Sequence, residues 1–293
     1  MIMLKTFSRT EPYFCFLSSI MNKRLITAIV FVLLSACNNK EDKTSTTTTS
    51  ETDNTPAIIN YSVMNVFPHD TTSFTEGFLV HDGQLYESTG HIDEVPSTRS
   101  LFGIVDLKSG KIQTKVELDK KKYFGEGIVF LNGKVYQLTY KTKIGFVYDA
   151  KTFKKISDFT FPSEEGWGMT TDGTYLIMSD GTSNISYLDP NTFKLVKILG
   201  VTDNNGPVSN INELEIINNF IYANQYTTNY ILKIDPSSGK VVGRLDFGTL
   251  DSEARNKYPD AKEMNGIAYD SVAKKVYVTG KLWPNIYEVK FSY

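Results

Sequence analysis

Two glutamates sit in near-copies of one phrase, Phe74-Thr75-Glu76-Gly77 and Phe124-Gly125-Glu126-Gly127. A carboxyl group beside aromatic rings is a candidate proton carrier, because an apolar wall disfavours its anion and lifts its pKa toward neutrality. Three clusters of the same shape follow: Glu165-Gly166-Trp167-Gly168, Asn212-Glu213-Leu214 and Met264-Asn265-Gly266. Roughly equivalent slots thus hold two acids, a tryptophan and two amides. A purely structural hub would carry small or aliphatic residues there, so polar residues that differ from slot to slot point to a site. Two chemistries suit them: proton transfer through a carboxyl group, or oxygen ligation of Ca²⁺ by Glu126, Asn212 and Asn265.

The clusters recur because the chain repeats. Each is followed by an apolar run, a turn and a run bearing Tyr86, Tyr136, Tyr175, Tyr222 or Tyr277. Four units close on Asp-x-x-(Ser/Thr)-(Gly/Phe)-Lys, at Asp106, Asp149, Asp189 and Asp235. The anchors Gly77, Gly127, Gly168, Leu214 and Gly266 lie 50, 41, 46 and 52 residues apart. Residues 58–293 therefore divide into five units of about 47 residues, the size of a four-stranded propeller blade. Six or seven blades would leave too little chain for each. The expected fold is all-β, a five-bladed β-propeller. Asp82-Gly83, Asn132-Gly133, Asp172-Gly173 and Asn218-Asn219 read as hairpin turns, and the closing aspartates read as turn formers. The last unit ends after its third strand, and residues 61–67 are the candidate fourth strand, closing the ring by completing the last blade. In a propeller the first strand of each blade lines the channel. Phe74, Glu76, Phe124, Glu126, Trp167, Asn212, Glu213 and Asn265 are thus expected in one neighbourhood near the axis.

Hydrophobic residues make up 41% of the chain and aromatic residues 13%, material for strands and one substantial core. A formal charge of −2 offers no basic footprint for nucleic acid. The front end reads as an address. Lys23-Arg24, the apolar residues 25–34 and Leu34-Ser35-Ala36-Cys37 follow the order of a secretory signal. The last four resemble a bacterial lipobox, which implies cleavage before Cys37 and its diacylation. Residues 1–37 are assigned to this signal, with Met21 a more natural start than Met1. Residues 38–57 form a Ser/Thr-rich flexible tether, and residues 58–293 the propeller. The expected location is the bacterial cell envelope, with the lipid anchor as the only membrane contact. Cys15 and Cys37 are the only cysteines and His69, His81 and His91 the only histidines. Neither a disulfide nor a zinc site is expected in the folded part, and His81 is expected to face solvent.

Six phrases occur in series: Phe-Gly-Glu-Gly (124–127), Gly-Trp-Gly-Met-x-Thr-Asp-Gly (166–173), Ser-Asp-Gly-Thr (179–182), Asn-Glu-Leu-Glu (212–215), Met-Asn-Gly-Ile-Ala (264–268) and Val-Thr-Gly-Lys-Leu-Trp-Pro (278–284). Together they resemble the glutaminyl-peptide cyclotransferases of plant-latex type and their bacterial relatives, over about residues 60–293. The resemblance implies a five-bladed propeller that converts the N-terminal Gln of peptides or proteins to pyroglutamate with loss of ammonia, without metal or other cofactor. A monomer is expected. In that reaction the substrate's own α-amine attacks its side-chain carboxamide, so proximity is largely built into the substrate. One carboxyl group can take the amine proton and deliver it to the departing nitrogen. Glu126 matches the family's catalytic position, Asn212 its substrate-binding amide and Lys281 its conserved lysine. Either of the last two could bind the carboxamide oxygen. Phe74, Phe124, Tyr140, Trp167 and Tyr226 would form an aromatic substrate pocket, with Trp167 fitted close to backbone by its flanking glycines.

Glu76 stands where plant members carry Gln, and Tyr140 and Tyr226 where they carry Trp. Glu76 could bind the substrate amine or share protons with Glu126. Two other readings compete: a Ca²⁺-dependent lactonase-like hydrolase, which would usually have six blades, and a lipid-anchored binding propeller without catalysis. A structural pairing of Glu126 with Lys281 is the alternative to its catalytic role.

Overall fold

The computed structural model describes residues 55–293. The signal, Cys37 and nearly all of the proposed tether lie outside the described residues. The rest forms five antiparallel sheets arranged as blades. Blade one runs outward through Phe74–His81, Gln84–Gly90, Leu101–Val105 and Ile112–Glu117. Blade two comprises Gly125–Leu131, Lys134–Thr139, Ile144–Asp149 and Lys155–Thr160. Blade three comprises Met169–Thr171, Leu176–Ser179, Asn184–Leu188 and Leu195–Gly200. Blade four comprises Ile211–Ile217, Phe220–Gln225, Tyr230–Ile234 and Val241–Asp246. Blade five begins with Met264–Asp270, Lys275–Gly280 and Asn285–Phe291. Its outermost strand is Tyr61–Pro68, antiparallel to Asn285–Phe291, so the two ends of the domain complete one blade. The short strand Ala57–Ile58 adds in parallel to the outside of blade four. Folded structure thus starts inside the segment assigned to the tether.

Burial falls from axis to rim. Gly125–Leu131 is buried throughout, whereas Lys155–Thr160 on the rim of the same blade is almost wholly exposed. Inner strands are covered by their own blade and both neighbours, so their sequences read as continuous apolar runs interrupted only by the polar clusters.

The turns follow their residues. Asp82-Gly83, Asn132-Gly133 and Asn218-Asn219 all take positive φ at both positions, as two-residue hairpin loops between right-twisted strands require. Asp172-Gly173 belongs to a longer loop between Thr171 and Leu176. There Asp172 accepts the backbone N–H groups of Thr174 and Tyr175, both at 2.8 Å. The closing aspartates are turn formers too. Asp149 accepts the N–H of Lys151 at 3.1 Å and of Thr152 at 2.8 Å. The residue before the lysine is left-handed in all four copies: Gly110 (φ 73°), Phe153 (56°), Phe193 (57°) and Gly239 (76°). Glycine adopts this conformation freely. Phe193 is held in it with its ring stacked on Phe159, centroids 4.5 Å apart.

Two elements depart from the repeat. A two-stranded ribbon joins Thr202–Asp203 to Gly206–Pro207, and a helix spans Gly248–Lys257 between blades four and five. The helix buries Leu250 and Ala254 in the core shared with Tyr222 and Phe247. Only those two apolar side chains mark its inward face, too faint a period to read from sequence. His81 is half-exposed rather than fully solvent-facing, and its ring stacks on Phe130 at 4.0 Å.

Candidate active site

Four of the five inner strands carry a β-bulge, and each bulge falls on the polar cluster. Thr75 and Gly77 pair with Thr89 and Ser88, leaving Glu76 as the extra residue. The same slip occurs between Gly125 and Ile128, Ile211 and Leu214, and Met264 and Ile267. A bulge bends its strand and re-aims a side chain. Here it turns Glu76, Glu126 and Asn212 toward the mouth of the channel.

The hub glycines serve a different need. A Cβ on Gly127 would lie 2.5 Å from the backbone nitrogen of Met169, and one on Gly168 would lie 2.2 Å from the carbonyl oxygen of Asn212. Neighbouring inner strands therefore meet backbone to backbone. Blade four has Leu214 at this position, and there the Glu213 carboxyl group makes the connection. It accepts the N–H of Ile267 in blade five at 2.9 Å and of Phe78 in blade one at 3.3 Å. Glu213 thus staples the hub and lies outside the cavity. Asn265 lies behind it too, donating to the Thr75 carbonyl at 3.0 Å and to Glu76 Oε2 at 3.1 Å. The side chains of Glu213 and Asn265 are thus engaged by neighbouring strands and do not line the cavity as expected.

The remaining expected site residues surround one cavity of about 220 Å³: Phe74, Glu76, Phe124, Glu126, Tyr140, Trp167, Asn212, Tyr226 and Lys281, joined by Ile92. This volume is below the ~300–1,000 Å³ of drug-sized ligand pockets and suits one residue-sized ligand. Tyr140, Tyr226 and Lys281 each directly follow the second strand of their blade. Ile92 lies two residues past the end of the second strand of blade one. No motif or repeat position in the sequence marks it. The blade-three counterpart is Gly181, and there the Trp167 ring takes the space: a Cβ on Gly181 would lie 2.6 Å from it. The glycine that seats Trp167 is thus Gly181, while the flanking Gly166 and Gly168 clear other neighbours. Gly90 does the same for Phe124, with a Cβ there only 2.0 Å from the ring.

The walls brace one another. Phe74 meets Phe124 edge-on at 6.0 Å, and Trp167 meets Tyr226 at 5.5 Å. The Trp167 indole N–H donates to Glu165 at 2.9 Å. Lys141 pairs with Glu165 at 3.4 Å and lies 4.6 Å over the Tyr140 ring.

The charges are arranged unequally. Lys281 Nζ is 2.7 Å from Glu76 Oε1 and sits 4.6 Å over Phe74 and 5.0 Å over Tyr226. Glu76 is saturated by Lys281 and Asn265. Glu126 Oε2 and Asn212 Oδ1 are buried with no hydrogen-bond partner among the described residues. Lys281 therefore pairs with Glu76, and the structural pairing with Glu126 does not form. Burial holds the Glu126 carboxyl well above the usual range, and the nearby Glu76 adds to this. Burial also lifts Glu76 to about 7, against the pull of the Lys281 ammonium. Burial opposes the charge on Lys281, yet Glu76 and Glu126 together hold it above the ordinary lysine value. The site thus holds one lysine, one carboxyl group paired with it and a second carboxyl group whose burial favours the neutral form. Among the described residues no group of three or more His, Cys, Asp or Glu side chains gathers around a common point.

Fold and cavity together define a five-bladed propeller with an aromatic-walled cavity that holds two buried carboxyl groups and a lysine. The chain belongs to the glutamine cyclotransferase family, whose model matches residues 30–291. It is 37% identical over 241 residues to a glutaminyl-peptide cyclotransferase of Arabidopsis thaliana, covering 80% of this chain and 72% of that protein. Its fold superposes on the crystal structure of Myxococcus xanthus glutaminyl cyclase with a TM-score of 0.73 and 31% identity, over 81% of this chain and 98% of the other.

Two outcomes follow from the geometry. Gly181→Ala puts a methyl group against Trp167 in a left-handed backbone, at a cost of about 1 kcal/mol, and should shift the tryptophan emission. Unchanged emission would place the ring elsewhere. The second concerns pH. Burial raises Glu76, Glu126 and Glu213 above the ordinary glutamate value of 4.5. Above that pH the folded state keeps protons that the unfolded chain has lost, so stability falls as pH rises. The raised pKa of His69 acts in the same direction. The thermal midpoint should drop between about pH 5 and pH 8.5, and a rising midpoint would mean that these groups ionise freely when folded.

Proposed function

We propose that this chain cyclises the N-terminal glutamine of peptides or proteins to pyroglutamate, with Glu126 carrying the proton. The observation that supports it most is the buried, unpaired Glu126 carboxyl beside a paired lysine in a cavity for one residue. The aromatic walls hold the glutamine side chain folded back on its own α-amine and keep out water. Asn212 Oδ1 accepts an N–H of the substrate carboxamide, and the Lys281 ammonium polarises the carboxamide oxygen. The neutral α-nitrogen attacks the carboxamide carbon. Protonated Glu126 gives its proton to the departing nitrogen, the carbon–nitrogen bond breaks and ammonia leaves, and the resulting Glu126 carboxylate takes the surplus proton from the newly bonded α-nitrogen, which restores its neutral form. The α-amine has a reference pKa of about 7.7–8.0, and burial holds Glu126 well above the ordinary glutamate value. One proton shared between the two serves both steps, whichever group held it when the substrate bound. Glu76 keeps Lys281 charged and fixed, and its saturation by two partners disfavours a direct role with the amine.

The same reading extends to the cell. The lipobox ending at Cys37 supports export and lipid anchoring in the bacterial cell envelope, with the acidic, Ser/Thr-rich segment spacing a monomeric propeller from the membrane.

Ammonia release from a Gln-leading dipeptide by residues 55–293 is the direct test. Glu126→Gln should lower kcat by about 10²–10⁴ with the thermal midpoint retained, and EDTA should leave the wild-type rate unchanged. Loss with EDTA would favour the lactonase-like reading, and an unaffected Glu126→Gln would favour a binding propeller. In cells, Cys37→Ser should abolish incorporation of labelled palmitate. Labelling that persists would remove the lipid anchor from this account.

A further inference from the structure

A buried ion pair that no step of the reaction uses lies behind the cavity wall. His69 immediately follows the closing strand, and its side chain is fully buried, as is that of Glu87 in the second strand of blade one. The His69 Nε2 faces Glu87 Oε1 at 3.0 Å and Oε2 at 3.1 Å. Its Nδ1 faces the carbonyl oxygen of Trp283 at 2.8 Å. A carbonyl only accepts, so Nδ1 carries a proton. Thr279 Oγ1, 3.3 Å from Nδ1, already donates to the Asn285 carbonyl and can only accept from the ring. Thr75 Oγ1 donates to Glu87 Oε1 at 2.7 Å. Every partner of the imidazole is thus an acceptor, which fits a doubly protonated ring beside a carboxylate.

The backbone that this ring grips is the corner that carries Lys281. Leu282, next in sequence, is fully buried and left-handed at φ 59°, a conformation a branched apolar residue avoids unless its surroundings impose it. Its N–H donates to the Ser73 carbonyl at 2.8 Å. The Pro284 carbonyl accepts the His69 backbone N–H at 3.1 Å, while the Trp283 carbonyl accepts the ring. Glu87, the other end of the pair, is tied through Thr75 to the residue before Glu76.

We propose that His69, with Glu87, is a positioning residue that locks the strained Lys281–Pro284 corner and so holds the Lys281 ammonium on Glu76 and over the substrate carboxamide. The pair spans the seam where the closing strand, blade one and blade five meet, and it carries the exactness of that closure to the site. The link to turnover rests on the cyclase reading, whereas the link to Lys281 does not.

Two measurements on the full chain separate these links. The first is acetylation of Lys281 by acetic anhydride, followed by mass spectrometry in the folded state and independent of any activity. His69→Gln should speed it about tenfold, and Glu87→Gln, which keeps the shape and one acceptor, by a smaller factor in the same direction. The second is a kinetic cycle on a Gln-leading dipeptide. His69→Gln should lower kcat/KM at least tenfold in the wild type but add nothing in a Lys281→Met background, while its loss of thermal stability should persist in both. Unchanged Lys281 labelling in either folded variant, or equal losses of kcat/KM in both backgrounds, would overturn the proposal. If the wild type releases no ammonia, the cyclase reading falls and the labelling result still decides the role of His69.

Discussion

One ammonium group faces two buried carboxyl groups, and the hub cannot charge both of them. Lys281 is held by Glu76 at 2.7 Å and boxed between two rings. That leaves Glu126 to bear its burial alone, and an isolated buried anion costs more than a neutral acid. The imbalance favours the neutral form of Glu126 without any direct bond to it. It also assigns Glu76, the second carboxyl, to fixing the cation.

The frame that sustains this imbalance is a compromise between repetition and exception. The backbone of each blade repeats, and hub glycines let inner strands approach until their backbones touch. Bulges then interrupt the pairing at the same depth in four blades, so non-equivalent side chains arrive at equivalent places. Blade four lacks the hub glycine and uses the Glu213 carboxyl group as a staple instead. A polar group is tolerated there because two backbone N–H groups meet it. At the seam, His69 and Glu87 form a second buried polar pairing, tied to the Trp283 carbonyl.

Much of this was legible in the residues. The turn pairs, the closing aspartates and the strand borrowed from the other end of the domain all rest on local or periodic patterns, and local physics decides them. The nine residues around the cavity were legible because family motifs and the repeat pointed to the same positions. Ile92 escaped since nothing in its own neighbourhood marks it and it falls one residue beyond the position that Tyr140 and Tyr226 hold after their strands. The helix at Gly248–Lys257 escaped because two inward apolar residues make too weak a period. His69 and Glu87 escaped because a polar pair 18 residues apart has no pattern at all.

By itself the order of residues determined the number of blades, the turns between strands and which side chains reach the axis, because these depend on period, on φ preference and on chain length. Only the tertiary structure decided who pairs with whom: Lys281 with Glu76, Glu213 with backbone, Trp167 with Gly181, and Glu126 with no described partner. Pairing of buried charges depends on distances of a few tenths of an ångström between strands far apart in the chain. No periodicity carries that information, since it arises only when closing the ring fixes every blade against its neighbours.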